Sequence, residues 1–200
     1  MGIVERKIRQ KEEVRSGILA AAWNMVLTEG WQSLSIRKIA DAIEYSIPVI
    51  YNHFENKDAI LVEFSNEGFE KLAAMLFAAK KAGDSAFEQL MLMADAYWDF
   101  AFQNKEYYQL MFGLGIPVCE MANQNEELKG MTDVFTATIK EALAMAGNTV
   151  ADPFLKFHTY WSILHGLVSI QMIEKNGMPD SKKKSILKDA IEGFGKSFKG

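Results

Sequence analysis

The stretch Gly30–Lys57 reads GWQSLSIRKIADAIEYSIPVIYNHFENK, and its pattern predicts two short helices joined by a tight turn. Ser35 and Ser46 stand at predicted N-cap positions, where a serine oxygen can accept bonds from free backbone N–H groups. Pro48 is tolerated in the first turn of the second helix, because an N–H there has no intrahelical partner. Apolar residues follow each cap at helical spacing, namely Ile36, Ile39, Ala40 and Ile43, then Ile50 and Phe54.

The second helix of this pair carries polar and aromatic residues away from its apolar face. Tyr51, Asn52 and His53 lie there, with Arg37 and Lys57 as nearby cations. Such a helix suits the major groove of DNA, whose phosphate walls attract the cations. A small helical hairpin whose polar residues are merely solvated would show the same spacing, so spacing alone leaves both readings open.

The stretch closely resembles the DNA-binding domain of TetR/AcrR-family transcriptional regulators. The matching segments are 18–22, 29–30, 34–40, 50–54 and 56–61, which together span about the first third of the chain. One position departs from the family pattern, because Glu44 stands where the family usually has glycine in the turn. If that residue is left-handed, the turn carries a strain of about 1 kcal/mol.

Together, the spacing and the resemblance predict a double-stranded DNA operator as partner. The predicted contact residues are Ser35, Arg37, Lys38, Ser46, Ile47, Pro48, Val49, Tyr51, Asn52, His53 and Lys57. Arg37 and Lys57 are predicted to touch the phosphate backbone. The resemblance implies that Val49, Tyr51 and His53 touch bases or adjacent phosphates.

The composition indicates an intracellular globular protein. Apolar residues make up 49% of the 200 positions, which is enough for a substantial core. Cys119 is the single cysteine, so no intramolecular disulfide forms and a reducing cytosol is expected. The sequence shows neither a signal-peptide pattern nor an apolar run long enough to span a membrane. We therefore expect a cytoplasmic location and no membrane partner.

The net charge of −4 argues weakly against nucleic acid as a partner of the whole surface. The distribution matters more, because the leading arm of the chain is locally basic. Five cations in residues 5–15 outnumber three carboxylates there, leaving an excess of 5 − 3 = 2. This arm is either a solvated tail or an element that touches phosphates or the minor groove.

Helical periodicity continues to the end of the chain and predicts an all-α fold. The first helix is expected from near Arg9 to Thr28, and a long helix capped by Asn56 runs to about Lys81. Later helices are expected over 85–104, 106–112, around 128–143, from Asp152-Pro153 to about 175, and from near 181. We divide the chain into a three-helix DNA-binding domain with a basic arm, 1–60, and a larger helical effector-binding and dimerisation domain, 61–200.

The last two helices predict a homodimer. Each has an apolar face, and a four-helix bundle with a second copy would bury both faces. The alternative is that both faces are internal core. The resemblance favours the dimer, because regulators of this family generally pair in this way. The predicted interface residues are Ile163, Leu167, Ile170, Leu187, Ile191, Phe194 and Phe198.

The C-terminal part also resembles the family subgroup named for a Trp-His-Gly pattern. Segments 104–112 and 161–167 carry this resemblance, with Trp161, His165 and Gly166 on neighbouring turns of one helix. A mostly apolar cavity with a few polar groups is typical of ligand sites. The predicted lining is Trp98, Phe102, Tyr108, Met111, Phe112, Met121, Trp161 and His165. The open alternative is that these residues are only core, with His165 as a hydrogen-bonded core histidine.

The sequence predicts no enzyme. We find no nucleophile–base pair, paired carboxylates, phosphate loop or metal motif, so no catalytic residue, metal or cofactor is expected. The preferred reading is a ligand-responsive regulator, a repressor released from a palindromic operator by a small apolar or aromatic effector. The alternative is a helical protein-interaction adaptor with no DNA role.

Overall fold

The computed structural model of this protein describes residues 2–113, 126–173 and 178–199. Every regular element in those ranges is a helix, which confirms the all-α fold. The α-helices are α1 (Ile3–Glu29), α2 (Ile36–Ala42), α3 (Ile47–Tyr51), α4 (Lys57–Ala82), α5 (Ala86–Gln103), α6 (Lys105–Met111), α7 (Glu126–Met145), α8 (Pro153–Ile173) and α9 (Asp180–Lys196). A short 3₁₀ helix, Trp31–Ser33, separates α1 from α2.

Helix α1 is longer than the sequence pattern predicts, because it begins at Ile3 and not near Arg9. The Glu5 carboxylate accepts a hydrogen bond from Gly2 N at 2.9 Å, and a negative charge stabilises a helix N-terminus. Residues 4–13 are all exposed. The basic arm is therefore a helical extension of the fold.

Helices α2 and α3 form the predicted two-helix unit. Ser35 and Ser46 occupy the N-cap positions with extended backbone, although neither hydroxyl makes a capping hydrogen bond. Glu44, in the turn between the helices, has a φ of 58°. The turn is therefore left-handed at a non-glycine residue, and the strain expected for that conformation applies to it. Helix α2 contacts both α1 and α3. The buried residues of this part are Ile18, Ala22, Val26, Leu34, Ile39, Ala40, Ile50 and Phe54.

Helix α4 connects the N-terminal three helices to the rest of the chain. Asn56 caps it as predicted, its side-chain oxygen accepting a bond from Ala59 N at 2.8 Å. Near its start, Phe64 lies 5.3 Å from the Trp23 ring of α1, measured between ring centroids. Further along, α4 packs against α5, α6 and α7. With 26 residues, the helix is about 39 Å long.

Helix α5 is central to the C-terminal part, where it contacts α4, α6, α7, α8 and α9. Its apolar residues on all sides predict this position. The buried Tyr160 hydroxyl of α8 donates to the Leu90 carbonyl of α5 at 2.6 Å and ties the two helices together. The observed ends of α5 and α6 and the starts of α8 and α9 lie within about two residues of the predicted ones, and the predicted end of α8 near residue 175 lies outside the described residues.

Candidate nucleic-acid interface and effector site

Two buried side chains, Ile50 of α3 and Phe54 three residues after its end, fix the orientation of this helix. Ile50 is fully buried and Phe54 is 4% exposed, so one side of α3 is fixed against the three-helix core. Tyr51 and Ile47 on the other side are 52% and 40% exposed. These exposed side chains of the five-residue helix therefore lie at the surface of the domain.

Most of the predicted DNA-contacting residues are accessible. Arg37, Lys38, Ser46, Ile47, Pro48, Tyr51 and Asn52 are exposed, whereas Ser35, Val49, His53 and Lys57 are partly buried. The Nδ1 atom of His53 is itself buried and has no hydrogen-bond partner among the described residues. That edge of the imidazole therefore faces the protein and cannot contact a base in this conformation.

The cations near α3 differ in their present partners. Lys38 Nζ lies 2.8 Å from Glu29 Oε2, an ion pair that a phosphate would have to replace. Arg15 pairs with Glu63 at 2.6 Å and lies over the Phe54 ring, so it supports the fold. Within the described ranges, neither Arg37 nor Lys57 makes an ion pair. Both cations are therefore available to a phosphate.

A buried polar cluster joins α5, α6 and α8. The Tyr108 hydroxyl lies 2.7 Å from His165 Nδ1, and the Tyr97 hydroxyl lies 2.9 Å from that of Tyr108 and 3.3 Å from the same nitrogen. Both tyrosines are fully buried, whereas His165 is half-buried. Tyr97 was not among the predicted lining residues, because the all-round apolar pattern of α5 does not show which side faces α8.

Aromatic rings surround this polar cluster. The Phe112 ring lies 5.0 Å from the His165 ring and 5.6 Å from that of Trp161, measured between centroids. Trp161 also meets Tyr97 edge-on at 5.4 Å. We call Tyr97, Tyr108, Phe112, Trp161 and His165 the aromatic–histidine cluster. Phe112, Trp161 and His165 retain partial exposure, so the cluster is open on one side.

The other predicted lining residues lie elsewhere, which corrects part of the prediction. Trp98 and Phe102 pair with each other at 4.8 Å and contact none of the rings of the cluster. Trp98 and Phe102 are one helical turn apart and share a side of α5 that differs from the side of Tyr97. Met111 packs on Gly68 of α4, where a Cβ would collide with its sulfur. Met121 lies outside the described residues.

Burial shifts the pKa values of the titratable groups in the cluster. It raises the pKa of the Tyr97 and Tyr108 hydroxyls above the ordinary value and lowers the pKa of His165 from 6.5. Well above pH 6.5 the imidazole is neutral in both the folded and the unfolded chain. As the pH falls below that value, the unfolded chain takes up a proton first. Stability therefore falls until the pH reaches the lowered pKa of the folded state.

This linkage gives a testable difference between wild type and His165→Phe. The variant is expected to lose about 1–3 kcal/mol at neutral pH, because a buried tyrosine hydroxyl loses its acceptor. The deficit should shrink as the pH falls from about 7.5 to about 5, since only the wild type has this histidine to protonate. Thermal unfolding of both proteins across that range measures it. A deficit that does not change with pH would contradict the assigned protonation state.

Helix α8 leaves an apolar face uncovered. Leu155, Ile170 and Ile173 are 62%, 62% and 74% exposed, and Ile163 and Leu167 are half-buried beside them. These side chains recur at helical spacing along most of the helix. We call Leu155, Ile163, Leu167, Ile170 and Ile173 the α8 face.

The predicted interface residues of α9 are instead part of the core of the protomer. Leu187, Ile191, Phe194 and Phe198 are at most 6% exposed. Phe194 packs its ring 5.3 Å from Tyr160 of α8. The exposed side of α9 is charged and carries the Lys188–Glu192 ion pair at 3.9 Å, while Lys184 pairs with Asp99 of α5 at 2.7 Å. The amphipathic pattern of α9 is thus satisfied within one chain, and its placement in a dimer interface was wrong.

Helix α6 links the DNA-binding end to the aromatic–histidine cluster. Tyr107 stacks on Trp23 of α1 at 4.3 Å, while its neighbour Tyr108 belongs to the cluster. The Trp31 indole N–H donates to the Glu106 carbonyl at 2.8 Å. Lys71 of α4 donates to the Tyr107 hydroxyl at 3.0 Å. A displacement of α6 at the cluster would therefore change its contacts with α1.

An open groove of about 500 Å³ lies at the far ends of α7 and α9, lined by residues that include Phe87, Met145, Lys196 and Phe198. It contains none of the predicted lining residues. Among the helices of the described ranges, none is both long enough and apolar enough to cross a membrane.

Two protein-family models match the chain. Residues 18–64 match the model described as bacterial regulatory proteins, tetR family, and residues 90–193 match the model described as tetracyclin repressor-like, C-terminal domain. The second match alone spans just over half of the chain. Its description does not name the Trp-His-Gly subgroup, so that assignment stays a prediction.

Curated proteins and solved structures agree with these matches. The chain is 24% identical over 160 residues to an uncharacterized HTH-type transcriptional regulator of Mycobacterium tuberculosis, covering 79% of this chain and 70% of that protein. It is also 24% identical over 102 residues to the HTH-type transcriptional activator FasR of Mycolicibacterium smegmatis, covering 51% and 47%. In fold it is similar to Bacillus subtilis FadR, solved with stearoyl-CoA, at a TM-score of 0.71 and 17% identity over 90% and 96% of the two chains.

Proposed function

The chain belongs to the TetR family of transcriptional regulators, and we propose that it is a homodimeric repressor released from a palindromic operator by a small apolar or aromatic effector. The proposed division of the chain is a DNA-binding domain over 1–60 and an effector-binding and dimerisation domain over 61–200. Helix α4 begins at Lys57, meets Trp23 of α1 through Phe64 and packs against α5, α6 and α7; the proposed boundary lies in its first turn.

The observation that carries the DNA-binding part of the proposal is the anchored, exposed α3. Its buried side is held by Ile50 and Phe54, and its outer side offers Tyr51 and Asn52 to a groove. Arg37 and Lys57 have no ion pair within the described part of the chain and suit phosphates. Phosphate contacts set the position of the helix, and contacts to base edges supply specificity.

The α8 face supports dimerisation. Large exposed aliphatic side chains are unfavourable in water. A second copy of the same helix, related by a two-fold axis, would bury them. A two-fold dimer presents two copies of α3, and this symmetry is the reason to expect a palindromic operator.

The proposed response to an effector uses α4 and α6 as connecting elements. A molecule bound against the aromatic–histidine cluster would change the position of Tyr108 on α6, whose neighbour Tyr107 stacks on α1. The spacing of the two α3 helices in the dimer would change with it. An effector achieves this only if it binds one of the two states more tightly.

One relative concerns the direction of regulation, and one structural neighbour concerns the kind of effector. FasR is described as an activator, so regulators similar to this chain are not all repressors. FadR was solved with stearoyl-CoA, which shows that a protein of this fold accommodates a ligand with a long apolar chain. The second fact supports the proposal of an apolar effector site.

Selection of bound fragments from random duplex DNA tests the proposal. Full-length protein is expected to enrich a palindrome with two identical half-sites, and Tyr51→Ala is expected to enrich it weakly or not at all. Gln32→Ala, at an exposed position outside the predicted contact set, serves as the matched control. Failure of the wild type to enrich any sequence would favour the adaptor function without a DNA role.

Lys57→Ala is expected to weaken binding to all sequences alike. Each lost phosphate contact lowers the slope of log affinity against log salt by about 0.9, so a dimer losing both should lose about two units. Titrations of one duplex at several salt concentrations measure this slope. Lys188→Ala, on the outward side of α9, is the control and should leave it unchanged. A changed sequence preference with an unchanged slope would show that Lys57 reads bases.

A further inference from the structure

The first turns of α1 extend beyond the packed part of the protein. Residues 4–13 are all exposed, whereas Ile18 further along the helix is fully buried in the three-helix core. An exposed segment of this length extends about 15 Å along the helix axis. A short helical segment without tertiary packing is only marginally stable in water. A partner that covers one of its sides would therefore stabilise it.

The charges of this segment are sorted by side of the helix. At about 100° per residue, the side that continues from Arg15 carries Lys11 and Lys7, about one and two turns before it. The same side carries Val4 and Ile8, which are 69% and 59% exposed. We call Val4, Lys7, Ile8 and Lys11 the arm face. It spans about 100° of the helix, and no carboxylate of residues 4–13 lies within it.

The rest of the segment is mixed in charge. Its charged residues are Glu5, Arg6, Arg9, Glu12 and Glu13, with a sum of 2 − 3 = −1. Arg9 and Glu13 form an ion pair at 3.6 Å. The positive excess of the arm therefore lies on the arm face alone. A segment that is merely solvated would need no such separation of charges.

Both lysines of the arm face lack an ion pair within the described parts of the chain. Arg15, the next cation on this side, is by contrast held by Glu63 of α4 at 2.6 Å. Its guanidinium lies 5.0 Å from the centre of the Phe54 ring, and Phe54 follows the end of α3 by three residues. The arm face therefore starts beside the end of α3.

We propose that the arm face is a second DNA-contacting element, with Lys7 and Lys11 against the phosphate backbone next to the groove that receives α3. This inference rests on the proposed function, because it adds a contact to the same complex of regulator and operator. Cations without neighbouring carboxylates complement the phosphates of DNA. Val4 and Ile8, between the two lysines, lie against the sugars. Contacts of this kind position a protein on DNA and carry no base specificity.

An anionic membrane surface is the other partner that a basic helix face can have. Helices that lie on membranes bury a broad apolar side, with the cations on the opposite, polar side. The arm face has only two aliphatic side chains, and its lysines are on the same side as they are. This arrangement favours DNA over a membrane.

Two double variants with the same change in charge test the arm face. Lys7→Gln with Lys11→Gln removes two cations from it, and Arg6→Gln with Arg9→Gln removes two cations from the other side. The affinity of each full-length protein for the selected operator is measured at several salt concentrations.

The lysine variant is expected to lose four phosphate contacts per dimer. At about 0.9 for each contact, the slope of log affinity against log salt should fall by about three to four units. The arginine variant should lose less than about one unit. Both variants should select the same palindrome as the wild type, because phosphate contacts carry no sequence information.

Hydrogen exchange of the wild type tests the same contact without a substitution. The backbone amides of residues 4–13 should exchange more slowly when the operator is bound. Vesicles made of equal parts phosphatidylglycerol and phosphatidylcholine should not retain the protein. Equal slopes for the two variants, unchanged exchange in the arm, or retention on vesicles that the lysine variant loses would overturn the inference.

The measurements on the wild type separate this inference from the proposed function. A wild type that binds its operator while giving any of these contrary results contradicts only the role of the arm face. A wild type that selects no duplex sequence contradicts the proposed function, and the role of the arm face with it.

Discussion

Ile170→Asp is expected to leave the protomer folded and to convert the dimer into monomers. Ile170 is 62% exposed, so within one chain the new carboxylate remains in water. In the dimer the same carboxylate would be buried against the partner's α8 face, where an unpaired charge is strongly unfavourable. Circular dichroism should therefore be unchanged, while sedimentation should show a monomer.

Operator affinity should fall when dimerisation is lost, although Ile170 lies in the C-terminal domain. Two linked DNA-binding domains gain about 10²–10⁴-fold over one through effective concentration, and the monomer loses this gain. Leu27→Asp is the matched control, because Leu27 is a comparably exposed aliphatic residue on α1, 56% exposed. It should remain dimeric. A dimeric Ile170→Asp would show that the α8 face is not the interface.

Phe194→Asp is expected to unfold the C-terminal domain, a different outcome from that of Ile170→Asp. Phe194 is 6% exposed and packs its ring between Tyr160 at 5.3 Å and Phe198 at 5.0 Å. Truncating a buried Phe costs about 3–5 kcal/mol, and an unpaired buried charge adds to that. Such a loss is comparable with the whole stability of many domains, about 5–15 kcal/mol.

Urea unfolding and circular dichroism distinguish the two variants. Phe194→Leu, which keeps an apolar side chain, should retain the fold and the dimer with a smaller loss of stability. If Phe194→Asp stayed folded and became monomeric, Phe194 would belong to the interface after all, and the burial of α9 against its own chain would be the wrong description.

The comparison of α8 with α9 shows what the sequence can and cannot predict. Periodicity correctly predicts that Leu187, Ile191 and Phe194 share one buried face of α9. It carries no information on what buries that face, because a helix of the same chain and a helix of a second copy are chemically alike. On α8, which is apolar all round, Ile170 is among the residues left exposed.

The helix boundaries were predictable where the chain carries local signals. Asn56 and Ser85 cap α4 and α5 by accepting bonds from backbone N–H groups, as their residue types suggest. The start of α1 was not predictable, because residues 3–8 contain neither a strong cap nor a breaker. The departure at Glu44 was visible in the sequence, and the structure places that residue in the left-handed region.

The effector site was only partly predictable. Tyr108, Phe112, Trp161 and His165 come together, whereas Trp98 and Phe102 pair on another side of α5. Sequence spacing fixes which residues share a helix face, but it does not fix which neighbouring helix that face meets. For this reason Tyr97, which completes the polar cluster, could not be selected from a helix with several apolar faces.

The most direct test of a dimer that reads DNA through two copies of α3 compares three duplexes. One carries the palindrome obtained by selection, one has a single half-site scrambled, and one has both scrambled. Binding of the full-length protein is measured by fluorescence anisotropy at one salt concentration, with the mass of each complex determined by sedimentation. We expect two chains on the intact palindrome and an affinity loss of about 10²–10⁴-fold when one half-site is scrambled. One chain per duplex, or equal affinity for all three duplexes, would contradict a dimer that reads DNA through two copies of α3.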